Sequence, residues 1–358
     1  MAEDFSLSEL VIPGTYIRVR AEALISAGGI STGNIGIVGT ASQGMGTTHV
    51  LSDYESAKAI FGNYDANSAG TLNLVRGLEL AYQNGARTVF ARALDAAGAH
   101  GVPEFTAAFN ELAKENINIV IAPELSTDNA RTVLGALVNA TESTGKDLIA
   151  VIGSDATTVA TILAQMPSDD RIIMTGPGIR AFDAAARAEV ALSGSYSAAA
   201  LAGLLSTLTP QSSPTNKSLP GVVHLAQRFS YGEMTQLVSG RLCLLEERQG
   251  VRVVRGLTSD NGAFTQITTR RITDFAKAGI RQVSGPFIGR LNNQRVRKAL
   301  QGAIDGFLTT MVQDEALTGY DLAVTATRQD EIAGRAIVSA TLMPTFSIDF
   351  VAVTLVLQ

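Results

Sequence analysis

Asn34-Ile-Gly-Ile-Val-Gly39 is a short apolar run flanked by glycine, and it reads as a buried strand. A loop to Thr48 follows, then a helical stretch over 52–61 opened by a Ser/Asp cap, and a second helix over 72–84 closed by Gly85. Residues 88–92 give another strand. The alternation continues with strands at 117–122, 148–152 and 171–174, separated by helical stretches at 128–142 and 157–166. Strand and helix taking turns predict an α/β layer. An alanine-rich helix over 196–206 then runs into a loop to Pro220, rich in proline, serine and threonine.

The C-terminal third holds the clearest helical periodicity. Val296, Leu300, Ala303, Ile304, Phe307, Leu308, Met311 and Val312 recur at i, i+4, i+7, i+8 behind an Asn292 or Asn293 cap. Its first turns carry Arg295, Arg297 and Lys298, although cations near a helix N-terminus oppose the macrodipole, which points to a demand from outside the helix. Strands over 320–326 and 335–342 lead to Phe346-Ser-Ile-Asp-Phe-Val-Ala-Val-Thr-Leu-Val-Leu357, whose one charge is Asp349. The apolar phase switches near Phe350 and Val351, so both faces of this strand are expected to be covered. Left on an open edge, such a strand is a template for another chain, and no lysine or proline guards it. At the other end, Pro13-Gly14 precedes an alternating stretch with Thr15, Ile17 and Val19 on one face and Tyr16, Arg18 and Arg20 on the other, read as an extended arm.

Composition narrows the function classes. The 358 residues suffice for a large core without metals or disulfides. Hydrophobic residues make up 46% and charged ones 17%, below the roughly 25% of an average domain. That excludes disorder and points to extensive contact with other chains. One cysteine, Cys243, and three scattered histidines (His49, His100, His224) form no metal-ligand spacing. No apolar run reaches the roughly 18 residues of a membrane span, and the acidic start is unlike a secretory signal, so a chain made and kept in the cytoplasm is expected. The charge is uneven. Ten basic and two acidic residues give residues 251–298 a charge of +8, while the other 18 basic and 31 acidic residues leave −13. Such asymmetry predicts a surface facing an oppositely charged partner, or else arginines scattered over a solvent face. Nucleic acid is the weaker partner, because the stretch has only Phe264, Phe275 and Phe287 for stacking and no binding motif.

Catalytic signatures are thin. The loop Gly39-Thr-Ala-Ser-Gln-Gly44-Met45-Gly46-Thr47 has a phosphate-loop spacing, but Met45 stands where the gripping lysine belongs. Gly33, Gly36 and Gly39 lack the dinucleotide spacing and read as close backbone packing. There is no Gly-x-Ser-x-Gly elbow, and Cys243 lies in an apolar run as a small core residue. Asp169-Asp170 and Glu246-Glu247 read as solvated turn carboxylates. Two function classes stay open on the residues: an assembly protein, and an α/β nucleotide-binding enzyme resting on the Gly39–Gly46 loop.

Taken together, the segments resemble the contractile tail sheath proteins of bacteriophages, R-type bacteriocins and contractile injection systems. Pro13-Gly14-Thr15-Tyr16-Ile17 is similar to the family's Pro-Gly-Val-Tyr-Ile opening, with Thr15 in place of valine. Ile35-Gly-Ile-Val-Gly39-Thr40, Phe61-Gly62, Asn84-Gly85, the paired arginines of Arg270-Arg271-Ile272-Thr273-Asp274-Phe275, Pro286-Phe287, Asn292 to Arg297 and Gly319-Tyr320-Asp321 follow in family order. A tryptophan common near 255 in the family is absent, and no room exists for the outer domains of large phage sheaths. The resemblance implies a mixed α/β chain, with an N-terminal arm over 1–24, an outer α/β domain over 25–250, an inner tube-facing α/β domain over 251–337 and a C-terminal strand arm over 338–358. It further implies stacked hexameric rings in a helical polymer around an inner tail tube, with baseplate and tail-terminator partners, no enzyme activity, no cofactor, no membrane and no direct nucleic acid. The particle would be a virion tail or injection device assembled in the bacterial cytoplasm. Thr15, Tyr16, Ile17 and Val19, with Phe346, Ile348, Phe350, Val351 and Val353, would exchange strands between subunits. Arg290, Arg295, Arg297 and Lys298 would face an acidic tube.

Overall fold

A computed structural model describes residues 30–62, 73–98, 100–183 and 187–356. The chain opens with β1 (Ile35–Ala41), whose seven residues are all buried, which is why it reads as an unbroken apolar run rather than an alternating one. Then come β2 (Thr48–Leu51), α1 (Tyr54–Phe61), α2 (Leu74–Gln83), β3 (Val89–Asp95), α3 (Val102–Leu112), β4 (Ile119–Ile121), α4 (Thr127–Ser143), β5 (Ile149–Gly153), α5 (Val159–Gln165) and β6 (Ile172–Gly176). The Asp53 carboxylate caps α1 by accepting from the Ser56 N–H at 2.8 Å, and the Asn73 side chain caps α2.

After β6 a small excursion, β7 (Ile179–Asp183) and β8 (Ala188–Leu192), leads into α6 (Gly194–Thr207). The chain then adds β9 (His224–Leu225), α7 (Tyr231–Ser239), β10 (Cys243–Glu247) and β11 (Val251–Val253). Eight strands form one sheet in the order β11-β10-β6-β5-β4-β1-β3-β2, in which the six inner strands run parallel and the two outer ones antiparallel. A second sheet pairs β8-β7-β9.

Helices cover both faces of the large sheet. On one, Leu74, Val75, Leu78 and Ala81 of α2 and the alanine-rich run of α6 pack on Ile35, Ile37, Ile119 and Val151. On the other, Phe105, Phe109, Val133, Leu134, Ile162 and Leu237 pack on Val38, Val120, Ala150 and Ile152. Helix α6 starts so close to the end of β5 that a Cβ on Gly153 would lie 1.7 Å from the Gly194 carbonyl oxygen. The close-packing reading of Gly33, Gly36 and Gly39 holds, since a Cβ at each would meet a neighbour at 2.2, 3.0 and 2.2 Å.

The C-terminal part is a smaller layer. Helices α8 (Ile267–Ser284) and α9 (Gln294–Gln313) pack beneath a two-stranded antiparallel sheet of β12 (Leu317–Thr325) and β13 (Ile337–Pro344), with α10 (Arg328–Ile332) between the strands. Ile272, Ala276, Ile304, Phe307 and Leu308 form its core. The expected mixed α/β class is what the structure has. Helix α9 matches its periodicity, with Asn293 as the cap accepting from the Val296 N–H at 2.9 Å. The sequence reading assigned no element to helices α3, α7 and α8, although α7 opens on a Ser230/Glu233 capping box and Ile272, Ala276 and Val283 of α8 share a buried face. In α8 the buried face includes Thr268, Thr269, Arg270 and Arg271, so burial there does not follow hydrophobicity.

Two expectations need correcting. The stretch 346–356 pairs with no strand of the described chain, and its apolar residues are exposed on both faces instead of covered. The basic stretch is mostly spent inside the molecule. Arg270 and Arg271 are buried, Lys277 and Arg281 reach Asp147, and Arg255 reaches Asp349. Acidic residues of the first part of the chain are therefore its main counter-charge, because α8 lies against the ends of α4 and of the loops before β5 and β6.

Candidate functional site

The loop after β1 sits where an α/β sheet of this order would bind a ligand, at the switch point between β1 and β4 beyond the strand ends. That place is filled by the chain's own carboxylate. Glu124, just past β4, accepts from the Thr40 N–H and from its hydroxyl, both at 2.7 Å, and a Cβ on Gly39 would lie 2.2 Å from Glu124 Oε1. Asp155 likewise caps α4, accepting from the Thr127 hydroxyl at 2.7 Å and from its N–H at 3.3 Å. A phosphate entering either place would meet a fixed carboxylate, which argues against the nucleotide reading of residues 39–46.

Burial raises the Glu124 carboxyl to about 7 even though Thr40 stabilises its charged form. A carboxyl with a raised native pKa contributes stability that is full below the ordinary value of 4.5 and is lost as pH rises through about 7. Glu124→Gln should flatten this part of the stability profile, so urea midpoints should fall more steeply between about pH 4.5 and 7 in the parent than in the variant. Parallel profiles would show that this carboxyl does not titrate there. Cys243 is fully buried and its thiol is pushed up to about 12 by that burial, which leaves no reactive thiolate. Neither carboxylate pair is simply solvated: Asp170 pairs with Arg270 at 2.6 Å, and Glu247 pairs with Arg228 and His224.

The assembly candidates that the structure describes lie in the C-terminal part of the chain. Thr15, Tyr16, Ile17 and Val19 fall outside the described residues. Phe346, Ile348, Phe350, Val351 and Val353 are all exposed, from 63% at Phe346 to 83% at Ile348, and Leu355 and Val356 continue the strip. An exposed apolar strip of this length on one segment is a candidate interaction surface. Beside it, β12 and β13 pair only with each other, so each keeps a free edge among the described residues.

Of the four basic candidates, Arg290, Arg295 and Lys298 are exposed, with Arg290 lying over the Phe287 ring at 5.2 Å. Arg295 and Lys298 meet no carboxylate among the described residues. Arg297 differs: it donates to Asn292 Oδ1 at 2.9 Å and to Glu331 Oε1 at 3.0 Å, and its side chain is 15% exposed. It ties α9 to α10 and holds the loop in which Ile288 and Leu291 protrude. Residues that the sequence reading missed are Arg255, Gln266 and Thr215, which gather around Asp349. The available signal was Asp349 itself, a lone charge in an apolar segment.

Comparison with known proteins places these features in context. The phage tail sheath protein central domain family matches residues 98–259, and the phage tail sheath C-terminal domain family matches residues 259–358. No curated protein matches the chain. The helical sheath of the anti-feeding prophage in its contracted state superposes with a TM-score of 0.75 at 19% identity, over 96% of this chain and 99% of that one. The contracted sheath complex of an extracellular contractile injection system, PVC, gives 0.74 at 16% identity, over 96% and 97%. A sheath tail protein from Desulfitobacterium hafniense gives 0.66 at 14% identity, over 93% and 100%.

Proposed function

Since the chain belongs to the contractile tail sheath family, we propose that it is the subunit of a contractile sheath, polymerised as stacked hexameric rings around an inner tube. Contraction would drive that tube through a target envelope. The carrying observation is the exposed apolar segment at 346–356, which pairs with no strand among the described residues. A neighbour's free edge at β12 or β13 would give it hydrogen bonds and cover, and the arm carrying Thr15, Tyr16, Ile17 and Val19 would join the same mesh. The division into arm, outer domain, inner domain and terminal strand at 24, 250 and 337 belongs to this proposal. So do the baseplate and terminator partners and assembly in the bacterial cytoplasm into a virion tail or injection particle.

The filled switch point supports a sheath that moves without nucleotide. Negative-stain microscopy of the purified chain in nucleotide-free buffer tests the proposal: tubes with helical striations are expected, and a monodisperse soluble protein that hydrolyses ATP would sink it. Arg290, Arg295 and Lys298 are the positions proposed to face an acidic tube, with Arg297 positioning their loop. Arg295→Glu with Lys298→Glu should reduce tube-templated assembly about tenfold at low salt and leave spontaneous assembly into contracted tubes nearly unchanged. Equal loss of both assembly routes would assign these charges to contacts between sheath subunits.

A further inference from the structure

An ionised carboxylate within an apolar segment is costly unless it is paired. The Asp349 side chain is 5% exposed. Its Oδ2 accepts from Arg255 Nε at 2.7 Å and from Gln266 Nε2 at 3.3 Å. Its Oδ1 accepts from Thr215 Oγ1 at 3.4 Å and from Ser347 Oγ at 3.2 Å. Two residues earlier the Gln266 amide brackets Ser347, accepting its N–H at 3.3 Å and donating to its carbonyl at 3.5 Å. A side-chain amide thus stands where a partner strand's peptide group would. The Thr345 N–H donates to the Ala316 carbonyl at 3.1 Å. Residues 345, 347 and 349 therefore face their own subunit, while Phe346, Ile348 and Phe350 point outward. Arg255 lies 5.1 Å from the Phe350 ring centre. From Val351 to Val356 every residue is exposed, and no hydrogen bond ties this stretch to the described chain.

We infer that Asp349 is a take-off latch, which keeps residues 345–349 on their own subunit so that the strand delivered to a second copy begins at Phe350. The inference rests on the strand-exchange reading above and narrows it, since residues 346 and 348 then belong to the anchored base. Pinning the base of the segment lowers the ordering cost of docking and raises the local concentration of the free end at the neighbour's edge. The latch also sets register. A strand entering the neighbour earlier would carry Asp349 away from Arg255, and a one-residue slip would exchange its two faces.

Full-length subunits bearing a single nitroxide at Ile348→Cys or Val353→Cys test this, because Cys243 is buried and stays unlabelled. Before assembly the label at 348 should be restricted and the label at 353 mobile. Asp349→Asn should free the label at 348 and slow polymerisation about tenfold, the loss expected for a charge-assisted hydrogen bond. Arg255→Gln should do the same, and Arg255→Asp combined with Asp349→Arg should restore most of the rate. A label at 348 that is equally mobile in parent and Asp349→Asn, or an Asp349→Asn chain that polymerises at the parent rate, overturns the latch. Polymerisation by a chain ending at Asp349 overturns strand exchange itself, whatever the labels report.

Discussion

A chain lacking residues 346–358 should fold to the same subunit and form no sheath. The exposed side chains at Phe346, Ile348, Phe350, Val351, Val353, Leu355 and Val356 contribute little to their own core, so the main loss on truncation is the Arg255–Asp349 pair and its surroundings. That should cost about 1–2 kcal/mol of subunit stability. Covering Phe350, Val351, Val353, Leu355 and Val356 in a neighbour is worth on the order of 10 kcal/mol gross for each contact, at about 1.5–3 kcal/mol per large side chain. Ordering the free residues offsets much of this, at about 1–2 kcal/mol each, which leaves the strand's new backbone hydrogen bonds and the tethered base to tip the balance. The check is circular dichroism and thermal unfolding for the subunit, with electron microscopy and sedimentation for the polymer. Sheaths of normal length from the truncated chain would falsify the role given to this segment.

Arg171→Met should be the most destabilising single change in the ion-pair network. Arg171 precedes β6 and is fully buried, yet it binds carboxylates from three directions. Its guanidinium donates to Glu142 at 2.8 and 2.6 Å, to Asp147 at 2.9 Å, to Asp274 at 3.1 and 3.2 Å, and to the Leu148 carbonyl at 3.1 Å. Glu142 lies on α4 and Asp274 on α8, so one side chain joins the large sheet layer to the C-terminal helices. Its hydrogen bonds hold the Glu142 carboxyl down to about 2, against an opposing effect of burial. Burial has the opposite outcome at Asp274, whose carboxyl is raised despite Arg270 and Arg171. Removing the guanidinium would leave these carboxylates short of counter-charge, a change that costs about 3–5 kcal/mol when a buried pair is broken. Urea unfolding should show the loss with little dependence on salt, because Arg171, Asp147 and Asp274 are shielded from solvent. Arg171→Lys should recover only part of it, since an ammonium cannot fork to three carboxylates. A midpoint within about 0.5 kcal/mol of the parent would mean that the network does not join the layers.

The alternation of strand and helix from 34 to 174 was legible because inner strands of a parallel sheet are buried on both faces and must be apolar throughout. Helix α9 was legible because its buried stripe, Leu300, Ala303, Ile304, Phe307, Leu308 and Met311, is hydrophobic and periodic. The apolar character of 346–357 was legible in its lack of any charge but Asp349. The burial of the first turns of α8 was not, because Arg270 and Arg271 can be buried only where other elements supply their partners: Asp170, a hundred positions away in the chain, with Asp274 for the first, and the Leu208, Thr209 and Thr32 carbonyls for the second. The same holds for the charge asymmetry, which looked like an outward-facing surface and is largely settled within the molecule. Asp349 stood out in the sequence as a flaw in an apolar strand. Only the tertiary structure, by bringing Arg255, Gln266 and Thr215 to it, makes it the fixed end of the segment. Hydrophobic periodicity is written locally in a chain, whereas the partner of a charge is decided by which distant segments the fold brings together.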